Sequence, residues 1–319
     1  MTLTSIYGTV YNNVKYIKRC LDSLVKALPN FDDEYELVIV DNYSTDGTFK
    51  ILKKFCEMHK NVKLFRTRCT RGKGRDIALR NTSGEYVCTI DFDNIFEKEF
   101  GIILEKLKRV CTHGTFWSPY GFSTRKTCIE IIGGWKDLNY GEDWEFWART
   151  IATGVIFKKI CIPNFSQTEN VKAREARYAK GFSFYNRKVR NIIDTIRGCN
   201  FNLSKEEFLI KKFTLTAFLA LVLFPILKPL AFKYDEKLSN IEFIYKNEQL
   251  LFPEDFGLPI NWFFTSWSYI NFVLPIVKKR INELMRRDKK LELKYFKKRD
   301  MLVCTRDNHL IEKYLSYLF

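Results

Sequence analysis

The chain has 319 residues, 46% of them apolar and 16% aromatic, which excludes a disordered or low-complexity protein. Its 53 Lys and Arg against 37 Asp and Glu leave a net charge of +16, spread unevenly: residues 1–165 carry +5 and residues 166–319 carry +11. A basic half joined to a near-balanced half points to a polyanionic partner for the C-terminal part, an anionic membrane face or nucleic acid.

The first 110 residues alternate between two periodicities. Leu3–Val10 reads as a buried strand, followed by Val14, Ile17, Cys20, Leu21, Leu24, Val25 and Leu28 at helical spacing. Glu36–Val40 predicts a second strand that ends at Asp41. Ser44 and Asp46 then suit the cap of a helix carrying Ile51, Leu52, Phe55 and Met58 on one face. Val62–Phe65 predicts a third strand, succeeded by a basic glycine-containing turn, Arg71-Gly-Lys73-Gly-Arg75, and a short helix through Leu79. Tyr86–Ile90 predicts a fourth strand, ending at Asp91-Phe-Asp93-Asn94. Phe100, Ile103, Leu104, Leu107 and Val110 mark the next helix. Strands alternating with crossover helices imply an α/β fold, a mainly parallel sheet with helices on both faces. In such sheets ligands bind beyond the carboxyl ends of the strands, where Asp41, Asp91 and Asp93 fall.

The composition changes near residue 165. A domain of residues 1–165 is expected, then basic amphipathic helices over 166–207, a membrane helical hairpin over 208–277 and a basic tail over 278–319. Lys172–Arg197 carries eight Lys or Arg against Glu175 and Asp194. The apolar runs 213–232 and 256–277 approach the ~20 residues of a spanning helix. Between them Lys233–Pro259 carries three Lys and six acids, while Lys211-Lys212 and Lys278-Lys-Arg280 flank them outside. This asymmetry fits a hairpin whose catalytic domain and tail share the cytoplasmic face, with the 172–197 stretch resting on anionic headgroups. No signal peptide is expected, because Met1 leads straight into the first strand. The nine cysteines show no Cys-x-x-Cys and no Cys/His cluster, which argues against a zinc module or a simple disulfide framework.

Five motifs carry candidate chemistry. Asp91 and Asp93, one residue apart at a strand end, suit a shared hard divalent cation completed by phosphate and water; they equally suit a solvated turn. Asp41 suits a hydrogen bond from a uracil imide or a ribose, or the capping of the next helix. Lys73 and Arg75 suit a diphosphate, or a solvated basic loop. Glu142 and Asp143 begin a helix marked by Trp144, Trp147 and Ile151, where acids complement the dipole and where one of them suits a general base. Gly133-Gly-Trp135 suits either a sugar platform or a helix end with a core tryptophan.

The order of these motifs is more specific than any one of them. Thr9-Val-Tyr11-Asn12, Val40-Asp-Asn-Tyr-Ser-Thr-Asp-Gly47, Gly72-Lys-Gly-Arg-Asp-Ile-Ala-Leu-Arg-Asn81, Ser83–Asn94, Ile132-Gly-Gly-Trp135 and Gly141-Glu-Asp-Trp144 follow one another. Together they resemble the family 2 glycosyltransferases of GT-A fold, over residues 3–165. The resemblance implies inverting transfer from a UDP- or GDP-sugar donor, assisted by Mn²⁺ or Mg²⁺. It implies that Thr9, Tyr11 and Asp41 hold the nucleoside, with Lys73, Arg75, Trp135 and Glu142 also lining the nucleotide-sugar site. It further implies that Asp91 lies near ribose and metal, that Asp93 ligates the metal and that Asp143 is the base. Asn94 stands where the family carries a further acid, and none of His59, His113 and His309 matches the late ligand used by some members. With the membrane reading, the expected acceptor is a glycan or a polyprenyl-phosphate lipid.

Other readings fit less of the chain. A sugar nucleotidyltransferase needs a Gly-rich basic loop directly after strand one, which Thr9-Val-Tyr-Asn-Asn13 is not. A basic nucleic-acid-binding protein leaves the ordered acidic motifs unexplained, so no nucleic acid is expected. A lectin-like module has no need of Asp91, Asp93 and Asp143 together.

Overall fold

Side-chain alternation along the central strands sets the layers. In the computed structural model, residues 3–160, 166–168, 181–200, 222–251, 253–258, 264–266, 282–283, 285–296 and 301–305 are described. β1 (Thr4–Val10) pairs in parallel with β2 (Tyr35–Asp41), and β2 with β3 (Val62–Arg66). β4 (Tyr86–Thr89) lies on the other side of β1. The sheet continues through β6 (Thr115–Ser118), β7 (Phe122–Thr124), β8 (Ile156–Ile160) and β10 (Gln249–Leu251), in the order β10-β8-β6-β7-β4-β1-β2-β3. Every neighbour is parallel except β7, which runs antiparallel to both β4 and β6. The α/β reading holds, as a mixed sheet. β5 (Asn94–Phe96) stands outside it, paired with β9 (Ser166–Thr168).

Two apolar layers sandwich the sheet. Ile6, Leu37, Ile39 and Cys88 face one layer, covered by α1 (Ile17–Ala27), α3 (Thr48–Met58) and α5 (Lys98–Val110). Tyr7, Val38, Val40 and Val87 face the other, covered by α4 (Arg71–Arg80) and α6 (Glu142–Ala152). A period of two along the strands and of 3.6 along the helices produces this division. α2 is the short Phe31–Glu34 turn before β2.

Three expectations need correcting here. The basic segment 71–75 is the first turn of α4, not a flexible loop before it, and Thr70 caps it by accepting from the Lys73 amide at 3.1 Å. Its glycines serve close packing: a Cβ at Gly72 would lie 2.1 Å from the Lys136 carbonyl, and one at Gly74 would lie 2.5 Å from Thr9 Oγ1. The sheet domain does not end near 165, since β10 joins β8 and Phe256 and Leu258 enter the same core as α1 and α5. Nor is the C-terminal part wholly helical: β12 (Glu292–Phe296) and β13 (Met301–Thr305) pair antiparallel, with β11 (Phe264–Ser266) beside β13.

The expected hairpin is corrected as well. Two spans joined by residues 233–259 would carry that segment across a bilayer from the sheet. Instead α8 (Asn240–Asn247) packs on α6, Lys106 donates to the Gly257 carbonyl at 2.8 Å, and β10 pairs in the sheet. This segment therefore lies on the sheet's own side. Among the described residues no helix is long and apolar enough to cross a membrane. Residues 213–221, 259–263 and 267–277 of the two apolar runs lie outside those described, as do 172–180 of the basic stretch. The rest of that stretch falls in α7 (Gly181–Cys199).

Candidate active site

The carboxyl ends of β1, β2 and β4 open onto the starts of α4 and α6, and the candidate chemistry gathers there. β1 approaches the segment after β4 so closely that a Cβ at Gly8 would lie 2.4 Å from the Ile90 carbonyl. That contact brings the loop after β1 next to Asp91. Gly141 takes φ +71°, a left-handed turn suited to glycine, and launches α6 with Glu142 and Asp143 in its first turn.

Arg75 is the hub. Its guanidinium is almost wholly buried and reaches three carboxylates from two segments, the one just after β4 and the first turn of α6. Nη2 donates to Asp91 Oδ1 at 2.8 Å; Nη1 donates to Asp143 Oδ1 at 2.5 Å and to Glu142 Oε1 at 3.1 Å. Arg71 Nη1 meets Glu142 from the other side at 3.2 Å. The Arg75 guanidinium also lies 4.8 Å from the centre of the Trp135 ring, a cation–π contact. Its Nε is buried with no hydrogen-bond partner among the described residues.

Exposure separates the three acids. The Glu142 side chain is 1% exposed, that of Asp143 40% and that of Asp91 52%. Glu142 therefore braces the two arginines from within, while Asp143 and Asp91 reach solvent. Burial above all, and then the neighbouring Asp143 carboxylate, hold Glu142 above the usual carboxylate range despite both guanidinium groups.

The remaining predicted residues divide. Thr9 is half-buried and donates to the Val40 carbonyl at 3.0 Å, which ties the loop after β1 to β2. Tyr11 is exposed in that loop, and Lys73 is half exposed, 3.6 Å from Asp76. Asp41 is withdrawn from solvent altogether. Its oxygens accept from the Ser44 amide at 3.1 and 3.3 Å and sit 3.3 Å from Arg66 Nε. In this arrangement Asp41 shapes the 42–46 loop and presents no oxygen to a nucleoside, a departure from the sequence reading. Trp135 departs too. Phe146 stacks on its ring at 4.2 Å, the Arg75 guanidinium lies over it, and its Nε1 donates to Tyr7 Oη at 3.0 Å, so it is a core brace and not a sugar platform. Arg75 itself faces carboxylates, where the sequence suggested a diphosphate.

For a divalent cation the donor set is of the right kind but open. Asp91 and Asp93 are hard oxygen donors at a strand end, and among the described residues no group of three or more acidic, His or Cys side chains is placed to hold an ion. Two carboxylates fit Mg²⁺ or Mn²⁺ where phosphate and water complete the shell. Asn94, in the position of a further acid, is buried at the start of β5.

Several residues that position the site carry no motif. Asn139, just before Gly141, has its amide held by Asp194 of α7 at 2.8 Å, and burial pushes the Asp194 carboxyl upward. A Cβ at Gly198 would lie 2.7 Å from the Gly141 carbonyl, so α7 rests directly on the turn that starts α6. The same loop grips α4: the Gly72 amide donates to the Leu138 carbonyl at 2.8 Å, and Thr70 Oγ1 donates to Asp137 at 2.6 Å. Further along α6, Arg149 forks onto Glu145 with two bonds of 2.8 Å, and the Tyr234 hydroxyl donates to Glu145 Oε1. Tyr234 and Glu145 are 89 residues apart, and no local pattern announces the pair.

A parallel-rich sheet with acidic loops at its carboxyl ends and a solvent-reaching carboxylate at a helix start defines an α/β enzyme-type site built for charged ligands. Residues 5–127 match the family described as Glycosyl transferase family 2. This segment is similar to that family. Poly(ribitol-phosphate) beta-N-acetylglucosaminyltransferase TarS of Staphylococcus aureus is 36% identical over 99 residues, 30% of this chain and 17% of that protein. The poly(ribitol-phosphate) beta-glucosyltransferase of Bacillus spizizenii is 36% identical over 99 residues, 30% of this chain and 15% of that protein. The chain thus spans less than a fifth of the length of either. The crystal structure of S. aureus TarS 1-349 with UDP-GlcNAc aligns at 22% identity and TM-score 0.41, covering 48% of this chain and 54% of that one.

Proposed function

We propose that the chain transfers a sugar from a nucleoside-diphosphate sugar, UDP- or GDP-linked, to an acceptor hydroxyl or phosphate, with inversion at the anomeric carbon. The observation that carries this reading is the convergence of Asp91 and Asp143 on Arg75, two solvent-reaching carboxylates fixed by one buried guanidinium. Asp143 takes the proton of the acceptor hydroxyl while its oxygen attacks the anomeric carbon from the face opposite the diphosphate. The bond from that carbon to the diphosphate breaks, and the nucleoside diphosphate departs. Arg75 holds Asp143 oriented in the resting site. Lys73, exposed in the first turn of α4, meets the leaving diphosphate. Tyr11 offers its exposed ring to the nucleoside, with Thr9 fixing the loop beneath it. Mn²⁺ or Mg²⁺, when held by Asp91 and Asp93, supplies positive charge against the departing diphosphate.

The acceptor class is a glycan or a lipid-linked phosphate at the cytoplasmic face of a membrane. Support comes from the basic C-terminal half, whose +11 suits an anionic acceptor or surface. Relatives named for transfer of N-acetylglucosamine or glucose to poly(ribitol phosphate) also support an anionic acceptor. A thermal-shift panel of UDP-, GDP- and CMP-sugars, with and without Mn²⁺, tests the donor assignment. Stabilisation by one nucleotide class, strengthened by the metal, is expected; no shift with any of them in the presence of metal overturns the reading.

A further inference from the structure

The peptide between Asp91 and Asp93 is gripped from a distant part of the chain. Ile90 is still tied to the sheet, its amide donating to the Tyr7 carbonyl at 3.0 Å. The chain then leaves the sheet as Asp91-Phe92-Asp93, and the Asn94 amide closes a turn on the Asp91 carbonyl at 3.3 Å. The Phe92 ring is buried in the core layer that α1 covers. Its carbonyl accepts from Asn13 Nδ2 at 2.7 Å, a buried bond between residues 79 apart. That carbonyl belongs to the peptide joining Phe92 to Asp93. The peptide unit is planar, so holding it constrains ψ of Phe92 and φ of Asp93, the torsions that aim Asp93 relative to Asp91.

Asn13 is itself bolted down. It is buried, its amide donates to Thr48 Oγ1 at 2.7 Å, and its carbonyl accepts from the Tyr16 and Ile17 amides at 3.0 and 2.9 Å. Its neighbours tie the same loop to residues 44–46. Asn12, at φ +45°, accepts from the Thr45 amide at 2.9 Å and gives its own amide to Ser44 Oγ at 2.9 Å. The Val14 amide donates to Asp46 Oδ2 at 2.9 Å. The Asn13 side chain is therefore a short arm on a fixed backbone, the kind of support that placing a ligand group requires. A buried carbonyl needs a donor in any fold, but this one lies between two acids that reach solvent.

We infer that Asn13 is a positioning residue for the divalent cation, gripping the Phe92–Asp93 peptide so that Asp91 and Asp93 present their oxygens to one ion. It touches neither ion nor substrate and acts through the backbone. The inference rests on the reading of Asp91 and Asp93 as the metal ligands of the transfer reaction. It makes the loop after β1 a joint between two ligands. The loop that offers Tyr11 to the nucleoside also holds the carboxylates for the metal.

The test uses the full chain, Asn13→Ala and Asn13→Ser, whose hydroxyl is too short to reach the carbonyl. UDP and GDP are titrated by calorimetry, each in Mn²⁺ and in EDTA, and the ratio of the two affinities is read. A bond that served the fold alone would lower the melting temperature when lost and leave that ratio unchanged. The wild type is expected to bind one nucleotide more tightly in Mn²⁺. In both variants the ratio should be at least about tenfold smaller, with affinity in EDTA retained. In the metal-free protein, amide hydrogen exchange at residues 91–94 should quicken in the variants. A wild-type ratio in the variants, or unchanged exchange at 91–94, would overturn the inference and leave the transfer reading standing. A wild type that binds neither nucleotide, or binds equally with and without Mn²⁺, would overturn the metal reading and this inference together.

Discussion

The sheet buries a glutamate at each end, and the two are treated in opposite ways. At the amino end Glu36 accepts from Ser5 Oγ, from the Ser83 amide at 2.7 Å, from Ser83 Oγ at 2.7 Å, and from Lys63 at 2.5 Å. Burial alone would raise its pKa, yet Lys63, Ser5 and Ser83 together bring it below the usual range. At the carboxyl end Glu142 meets Arg71 and shares Arg75 with Asp143 and Asp91, and its pKa is raised. One carboxylate is saturated by donors. The other is crowded by acids, and the free energy given up there keeps a half-exposed carboxylate poised in place. The comparison teaches that two buried carboxylates shift in opposite directions according to whether donors or other acids surround them.

The sharpest way to break this contrast is to remove the poised carboxylate. Asp143→Asn keeps size and one bond to Arg75 but accepts no proton. Sugar transfer should fall by ~10²–10⁴-fold while donor binding persists. Near-normal turnover would move the base to another acid and dissolve the division of labour between Glu142 and Asp143. Asp93→Ala should weaken metal-dependent donor binding by at least about tenfold, read by calorimetry with and without Mn²⁺. Unchanged binding would remove Asp93 from the metal.

Much of this frame was legible in the sequence. The strands from Leu3 to Ile90 and their helices follow from plain periodicity, and Asp91 and Asp143 were marked by their place at element ends. The hub was not, because the Arg75–Asp143 contact joins residues 68 apart and depends on how α4 packs against the 136–141 loop. Two glycines made the start of α4 read as a turn. Their cause, the close approach of the Lys136 carbonyl and of Thr9, is tertiary. Strand β10 has three residues, too few for a periodic signal, and it displaced the expected boundary at 165. Asp41 and Trp135 were recognised as important, but from sequence a carboxylate that shapes a loop looks the same as one that binds a nucleoside.

At the amino end the staple should behave as a stability element and nothing more. Glu36→Ala strands the Ser83 amide and the Ser5 hydroxyl and should cost about 2–4 kcal/mol. Denaturant unfolding measures this, and the activity of the remaining folded protein should be unaffected. Because its folded pKa is lowered, the stabilisation from Glu36 is present at neutral pH and is lost as pH falls through that pKa. A loss of turnover without loss of stability would contradict the assignment.

Between these extremes lies the brace on α6. Tyr234→Phe deletes one hydroxyl and leaves the Glu145–Arg149 fork intact, so about 1 kcal/mol of stability should go. If Tyr234 also steadies the start of α6, kcat should fall a few-fold with KM unchanged. A drop in Tm with an unaltered kcat would confine Tyr234 to packing.

The smallest effect has the most telling sign. Glu142 is raised above its unfolded value, so the folded state holds a proton more tightly than the unfolded one, and ionising this carboxyl costs stability. That cost is absent below the unfolded pKa, about 4.3, grows as pH rises toward the folded pKa, and is full above it. Glu142→Gln removes the ionisation and keeps an oxygen toward Arg71 and Arg75. The variant should therefore match the wild type in Tm at acid pH and melt slightly higher at neutral pH. Its turnover should drop, because Arg75 would then lean more fully on Asp143 and Asp91. A Glu142→Gln protein less stable at neutral pH than at acid pH, relative to wild type, would make Glu142 a second staple like Glu36 and erase the difference between the two ends of the sheet.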